Sequence, residues 1–557
     1  MEIISKRIGW SIFLIALAGL TALPIAYVAV AILTPTLDVW VHLWQTTLGE
    51  MFANTFFLMF GVGLGTMVLG TLLAWLVVVY DFPGKGFFDW ALILPLAVPG
   101  YVMAFIALSI FNFTGPVQTA FRGWFGSGIW FPDIRSGFGV FIVMTLVLYP
   151  YVYLLARAAF LEQGATLIDA ARSLGFNRTR AFFKVVLPMA RPSIAVGVAL
   201  AVMEAIADVG AVTTLGFPTL SSGVYRIWVG FFDEKAALEL AGVLLVIALI
   251  LLFLEKKLRG RARYYQELGR SIKAEPVTLS NWRRWGITAL CSTVLAVSFG
   301  LPLAQLGIWA FGQIQVGALQ ARYLEFTLNT LGLAVIAALI TIFIALLLAY
   351  GKRLNKGKTI GSAIQISAMG YAIPGAVVGI GIIAAIISGQ TILNSIYSFF
   401  SDNKAPILSG SVTVLIYAYI VRFMAVAYRP TEASLEKVTP NMDMASRNLG
   451  KSPLSTLRLI HFPLLKVGLL TGAVLVFIDV MKEQPATLLL RPLGKETLAT
   501  RVWQLTNESL WEAAALPAIT IVLAGVIPII FLMRASSGKS RKTTNITVEE
   551  IGLEGDI

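Results

Sequence analysis

The sequence is poor in charge and nearly without sulfur or imidazole ligands. Of 557 residues only 13% are charged, with one cysteine and two histidines. An ordinary soluble domain carries about 25% charged residues. A lone cysteine, Cys291, excludes a disulfide framework and a thiolate-built metal centre. His42 and His461 stand far apart in the chain, which argues against a His-rich metal centre. Apolar residues fill the space: 57% of the chain is hydrophobic, and the mean hydropathy is +0.81. That balance excludes a disordered chain, a collagen-like chain and almost any soluble enzyme, and places the protein in the membrane class.

A transmembrane helix needs roughly 20 apolar residues, because the hydrocarbon core is ~30 Å thick and a helix rises ~1.5 Å per residue. Twelve stretches qualify: 9–34, 52–80, 87–111, 137–161, 190–215, 237–255, 285–312, 326–351, 360–388, 409–428, 464–481 and 513–533. Long continuous runs favour helices over the alternating strands of a barrel. In lipid, helices also pair their own backbone groups. The first run follows Lys6 and Arg7 and reads as a retained signal anchor. With the N-terminus inside, 31 of the 43 lysines and arginines fall in cytoplasmic segments and 10 in external ones. This is the bias of the positive-inside rule, and it predicts both termini in the cytoplasm. The net charge of +13 therefore needs no nucleic acid. The cluster Lys256, Lys257, Arg259, Arg261 and Arg263 reads as a juxtamembrane patch on anionic lipid. Arg157 and Arg422 fall inside spans and are expected to snorkel toward the cytoplasmic surface.

The chain repeats itself at an offset of 275. Asn54-Thr55 returns as Asn329-Thr330, Pro99-Gly100 as Pro374-Gly375, and Pro188 as Pro463. Arg172, Leu174 and Gly175 return as Arg447, Leu449 and Gly450. A shared offset over so long a stretch marks an internal duplication. The predicted architecture is an all-α membrane protein of about 12 transmembrane helices, built as two parallel tandem six-helix repeats. The halves are 1–255 and 285–534, joined by a basic cytoplasmic linker, 256–284, and followed by a cytoplasmic tail, 535–557. An even number of spans per half makes the repeat parallel, unlike that of inverted-repeat transporters.

Two features recur inside the spans. The fifth span of each half carries acids, Glu204 with Asp208 and Asp479 with Glu483. The i, i+4 spacing predicts that each pair shares a helix face. Acids within a membrane usually face a bundle interior or a watery path, so these four are candidates for a translocation path. The competing structural role is local: Lys482 pairs with a neighbour, and the acids cap helix breaks near Gly210 and Pro485. Pro99-Gly100 and Pro374-Gly375 interrupt the third span of each half. They are candidate hinges, or static kinks for packing.

Two long cytoplasmic loops match as well, 162–188 and 436–463. Each reads as a short helix, a glycine stop, a second short helix and a proline opening the next span. Glycine suits the residue past a helix end, and proline suits a first helical turn. The first loop holds Asp169, Ala170, Ala171, Gly175, Leu187 and Pro188. The second holds Ala445, Ser446, Gly450, Phe462 and Pro463. This pattern resembles the EAA loop of ABC-importer permeases. Asp169 and Met444 replace its glutamate, and Ser446 replaces its second alanine. The resemblance implies that both loops are coupling helices that dock on separate ABC ATPase subunits, two in number. The chain itself lacks a phosphate-binding loop. Before Gly450-Lys451-Ser452, Gly357-Lys358-Thr359 and Gly538-Lys539-Ser540, the earlier glycine that the motif requires is replaced by Ala445, Lys352 and Met533. It is therefore expected to be no enzyme and to bind no cofactor, ATP and Mg being used by the partner.

The stretches Met203–Gly210 and Lys482–Pro492 resemble the fused, two-half permeases of ferric-iron ABC importers. The resemblance extends over roughly residues 10 to 533. It implies a bacterial inner-membrane subunit served by an extracytoplasmic substrate-binding protein. Paired carboxylates fit the oxygen preference of Fe(III), though no metal site follows from them. The same architecture imports thiamine, phosphonate, polyamine or other small solutes. A secondary transporter driven by an ion gradient is the alternative of another class.

Overall fold

The computed structural model describes residues 2–173, 175–231, 233–259, 277–317, 322–354, 357–398, 410–436 and 438–537. Most of the predicted linker and tail lies outside these segments. Within them the chain is helical, with twelve helices long and apolar enough to cross a membrane. One two-residue parallel ladder, Tyr80–Asp81 with Val277–Thr278, is the exception. Its second strand belongs to the predicted linker, whose two ends are structured: the sixth span runs on to Arg259, and a helix starts at Asn281.

The expected spans hold with corrections, first at the third span of each half. The third span is not continuous over 87–111. A short helix, Lys85–Ala91, and a tight turn, Leu94–Ala97, precede a helix that begins only at Gly100. Likewise Lys358–Ser367 and the turn Gly370–Ala372 precede the ninth span, Gly375–Tyr397. The cause is proline: a residue before proline is pushed out of the helical region, and Val98 (φ −88°, ψ 115°) and Ile373 (φ −93°, ψ 130°) are both extended.

In each half the second, fourth and fifth spans pack as a bundle. In the first half these are Gly49–Val79, Gly137–Ser173 and Leu187–Ala207. In the second they are Tyr323–Leu354, Val412–Glu436 and Phe462–Lys482. Small residues let the backbones close up: Gly70 lies on Tyr149 and Val152, and Gly197 on Val152. The repeated Asn-Thr pairs do equivalent work. Thr55 Oγ1 accepts from the Leu220 N–H at 3.0 Å, and Thr330 Oγ1 from the Leu498 N–H at 2.8 Å. Asn54 donates to the Pro218 carbonyl, and Asn329 to that of Glu496. Each pair pins the start of a short helix, Leu220–Arg226 or Leu498–Asn507. The offset has grown from 275 to 278 by then, so three extra residues lie between. These recurrences support a duplicated body.

The first span of each half packs on the other half. In Glu2–Ala31, Thr21 hydrogen-bonds Ser367 at 2.6 Å, and Leu14 and Pro24 lie on Gly351 and Gly381. In the seventh span, Trp309 stacks on Phe105 at 6.3 Å. These exchanged helices also orient the molecule. Met51, at the start of the second span, and Leu240, near the start of the sixth, both close on Gly223. Those two spans therefore begin at one face. The first span is antiparallel to the sixth, since Ile32 at its far end meets Gly242. Its beginning, at Leu14, meets Gly351 near the end of the eighth span. The second and eighth spans thus end at the same face, the one that carries both matched loops.

Candidate functional site

At the seam between the halves lies a cavity of ≈ 80 Å³. All four predicted acids line it: Glu204, Asp208, Asp479 and Glu483. Pro99 and Gly100 line it as well, with Arg422, Lys482, Gln484, Tyr101 and Tyr151.

The shared helix faces predicted for the acid pairs do not form, because the helices stop first. The fifth span ends at Ala207, and Asp208 is extended (φ −79°, ψ 97°). The eleventh ends at Lys482, and Glu483 is extended (φ −69°, ψ 121°). Each break is followed by a six-residue helix, Val209–Thr214 or Pro485–Leu490. Asp208 Oδ1 accepts the Ala211 N–H at 2.7 Å. Glu483 accepts from the N–H groups of Ala486 (3.0 Å) and Thr487 (2.9 Å) and from the Thr487 hydroxyl. A carboxylate capping free N–H groups at a helix start contributes about 1 kcal/mol.

The same two acids explain the glycines of the Pro-Gly breaks. A Cβ on Gly100 would meet Asp208 Oδ2, and one on Gly375 would meet Glu483 Oε1 and Arg422 Nη1. Each acid therefore also lies at the start of a long helix, Gly100–Phe111 or Gly375–Tyr397, where the helix dipole favours negative charge. Gly375 stands beside the Arg422–Glu483 pair, and neither it nor Pro374 is among the cavity-lining residues.

The four acids thus divide by role. Asp208 and Glu483 are caps. Asp479 pairs with Lys482 at 3.1 Å. The carboxylate of Glu204, half-buried on the cavity wall, makes no hydrogen bond or ion pair among the described residues. Among those residues no group of three or more His, Cys, Asp or Glu is arranged to hold a metal.

Both intramembrane arginines depart from the snorkelling expectation. Arg157 makes a bidentate pair with Asp89, 2.6 Å on each arm. Arg422 is buried on the cavity wall, with Nη1 3.9 Å from Glu483 Oε1 and no hydrogen-bond partner for Nε or Nη1. The signal for it was available, since Glu483 lies within the same half and a buried arginine seeks a carboxylate. Gln484 and Tyr101 carried no signal. Both amide atoms of Gln484 and the Tyr101 hydroxyl are buried without hydrogen-bond partners. Tyr151 reaches Tyr371 across the seam at 3.4 Å.

The two matched loops lie together at one face, where Gly175 (φ +81°) and Gly450 (φ +70°) both adopt the left-handed conformation that favours glycine. Around Gly450 the Lys451 N–H reaches the Ser446 carbonyl at 3.1 Å, a Schellman stop. Ser446 Oγ also bonds Thr456 at 2.7 Å. The first loop differs from expectation: its leading helix is no separate piece, because Gly137–Ser173 is continuous with the fourth span. The side chains of Asp169, Ala170 and Ala171 lie outside the described set. Ala445 is exposed and Leu187 half-buried.

Pro188 and Pro463 likewise do not open fresh helices. Each follows a wide turn, Phe182–Val186 or Leu457–His461, within a continuous helical run. That turn contains the carbonyl four residues back, with which a proline ring would clash. Phe462 is exposed beside Pro463. The turns pack on the ends of the second and eighth spans, through Phe182 on Trp75 (4.3 Å) and His461 on Tyr350 (5.7 Å).

A seam-lining polar cavity joined by packed helices to two loops at one face is the build of a membrane permease. Residues 67–254 match the model of the family described as binding-protein-dependent transport system inner membrane component. The chain is 30% identical over 267 residues to the sulfate transport system permease protein CysT of Synechocystis, covering 92% of that protein and 47% of this one. It is 28% identical over 226 residues to the molybdenum transport system permease protein ModB of Escherichia coli, covering 95% of that protein and 40% of this one. The chain belongs to this binding-protein-dependent permease family.

Those relatives are the size of one half. By contrast, the Fe(3+)-transport system permease protein FbpB 2 of Haemophilus influenzae matches at 26% identity over 534 residues, 94% of this chain and 98% of that one. The chain is a fused, two-half permease of the family.

Proposed function

We propose that the chain forms the translocation path of an ABC importer for ferric iron. The observation that carries this reading is the match along 94% of the chain to a two-half permease named for Fe(3+) transport. Iron reaches the outer face on a substrate-binding protein and crosses at the seam. Glu204 is the carboxylate free to meet it, while Asp208, Asp479 and Glu483 hold the walls. The termini and both loops face the cytoplasm. There Asp169, Ala170, Ala171, Gly175, Leu187 and Pro188 form one lever, and Ala445, Ser446, Gly450, Phe462 and Pro463 the other. Two ATPase subunits, binding ATP and Mg themselves, grip the levers. A short packed helix transmits a rigid-body rotation without stretching backbone. Pro99-Gly100 and Pro374-Gly375 are where the third spans swing as the cavity opens to alternate sides.

The test is reconstitution of the chain with its ATPase and binding protein in proteoliposomes. Iron stimulates ATP hydrolysis and accumulates inside. The two cations in the cavity and the sulfate and molybdenum permeases among the relatives favour a second reading, an anion cargo. Stimulation by sulfate or molybdate without any by iron would establish that reading and end the ferric one.

A further inference from the structure

The first lever is tied to more than its own span. It continues the fourth span as one helix, Gly137–Ser173. Between Tyr151, on the cavity wall, and Asp169, in the lever, that helix presents Arg157. Nε and Nη2 of Arg157 both bond the Asp89 carboxylate at 2.6 Å, and the buried Tyr153 hydroxyl donates to the Asp89 carbonyl at 3.0 Å. Asp89 belongs to the short helix Lys85–Ala91, which runs through the turn Leu94–Ala97 into the Pro99-Gly100 break. Leu96, Val98, Pro99 and Gly100 line the cavity. Three bonds therefore join the helix of the lever to the foot of the third span.

Stability is not the main product of this pair. Its side chains are 22% and 34% exposed, and ion pairs in contact with solvent contribute little. The forked geometry fixes orientation instead, because two parallel bonds from a planar guanidinium leave little freedom to rotate. The second half ties the same position elsewhere. At the offset of 275, Arg157 becomes Glu432, which pairs with Lys352 at the end of the eighth span, 2.6 Å away. Asp89 becomes the buried Ile364. The short helix there, Lys358–Ser367, bonds the first span through Ser367 and Thr21. In the first half the chain ahead of the clasped helix is anchored separately. Tyr80–Asp81 pair with Val277–Thr278, and the Pro83 carbonyl accepts from the Thr288 hydroxyl at 3.0 Å. Gly84, at φ +83°, separates those anchors from the helix that Arg157 holds.

We propose that Arg157 and Asp89 are a clasp that holds the first lever and the foot of the third span as one body, so that movement of the lever reaches the cavity wall directly. Arg157 is a positioning residue in this role. A rigid body passes on a rotation that separately packed pieces would absorb. The inference rests on the ABC-importer reading and is indifferent to the cargo.

The experiment uses the whole complex in proteoliposomes and measures iron entering per ATP hydrolysed. Asp89→Asn and Arg157→Gln each lower that ratio about threefold, within the range by which residues along such a network alter coupling. Arg157→Lys recovers part of the loss. The exchange of charges, Asp89→Arg with Arg157→Asp, recovers about half or more, which a packing defect would not allow. With Cys291→Ala removing the native thiol, Asp89→Cys and Arg157→Cys are bridged by a short bifunctional thiol reagent. Bridging restores the ratio toward that of the unaltered chain, because the two residues do not part during the cycle. An unchanged ratio in both single variants overturns the inference, as does a block of transport on bridging. So does a loss in the single variants that neither the exchange nor the bridge repairs. If the unaltered chain imports sulfate or molybdate in place of iron, the ferric reading fails and the clasp is judged by the same ratio for that anion. Absence of any ATP-driven uptake overturns both.

Discussion

In the first half the fourth span and the lever are one helix, Gly137–Ser173. In the second the span stops at Glu436, and a separate lever helix, Pro440–Asn448, begins after a break. Three residues account for the difference. Pro440 stands where the first half has Ala165, and proline disfavours helix before itself. Arg353, at the end of the eighth span, donates to the carbonyls of Leu435 and Val438 at 3.1 and 2.9 Å, satisfying the broken end; its counterpart is Val78. Ser446 bonds Thr456, where the first half has Ala171 and Ala181. One lever is thus a rigid extension of its span, and the other is a jointed arm held by specific hydrogen bonds.

The cavity wall shows the same contrast. The capping acids and their glycines match across the halves. The cations do not: Arg422 and Lys482 replace Val147 and Ala207 of the first half. The frame matches across the two halves, while the charges and levers differ.

Substitutions at matched positions test this most severely. Gly375→Ala drives a methyl group into both Arg422 and Glu483 and is expected to cost about 3 kcal/mol, the order for breaking a buried pair. Gly100→Ala displaces only Asp208 and is expected to cost about 1 kcal/mol, the order of a lost cap. Thermal unfolding in detergent reads both; equal losses would mean that Arg422 does not distinguish the halves.

Glu204→Gln separates the acids by role. Iron uptake is expected to fall about tenfold, equivalent to ~1.4 kcal/mol, with unfolding temperature unchanged. Asp208→Asn should instead lower the unfolding temperature. A stability loss in Glu204→Gln would make it another structural acid.

Pro440→Ala removes the joint in the second lever, and Ala165→Pro adds one to the first. Severalfold weaker cargo-stimulated ATP hydrolysis is expected in each, with folding intact by gel filtration. Unchanged coupling in both would mean that the joint has no mechanical role. The smallest effect expected is that of Ser446→Ala, about 1 kcal/mol or less for one hydrogen bond, read by thermal unfolding. A shift matching that of Gly375→Ala would show that the second lever depends on this bond for far more than one hydrogen bond's worth of stability.

Much of this was legible in residues. Asn54-Thr55 and Asn329-Thr330 announced the repeat, and left-handed Gly175 and Gly450 are the stops their positions foretold. The wide turns before Pro188 and Pro463 were not, because proline at a span's start looks alike whether the helix is new or continuous. Nor was the exchange of first spans: lipid-facing and helix-facing leucines are the same residue type, so Leu14 gives no hint that it meets Gly351. Gln484 gives no signal in the sequence because it lies against Gly210 of the other half, a contact that no local pattern encodes.

The central claim is that these levers are gripped from the cytoplasm by a separate ATPase. Leu449, beside Gly450, is 77% exposed, and the native Cys291 is buried. Leu449→Cys, cross-linked in membrane vesicles of known orientation, should trap a nucleotide-hydrolysing partner when the reagent acts from the cytoplasmic side. Labelling of that cysteine only from the opposite side, or capture of no ATPase in a complex that still transports, would contradict the account.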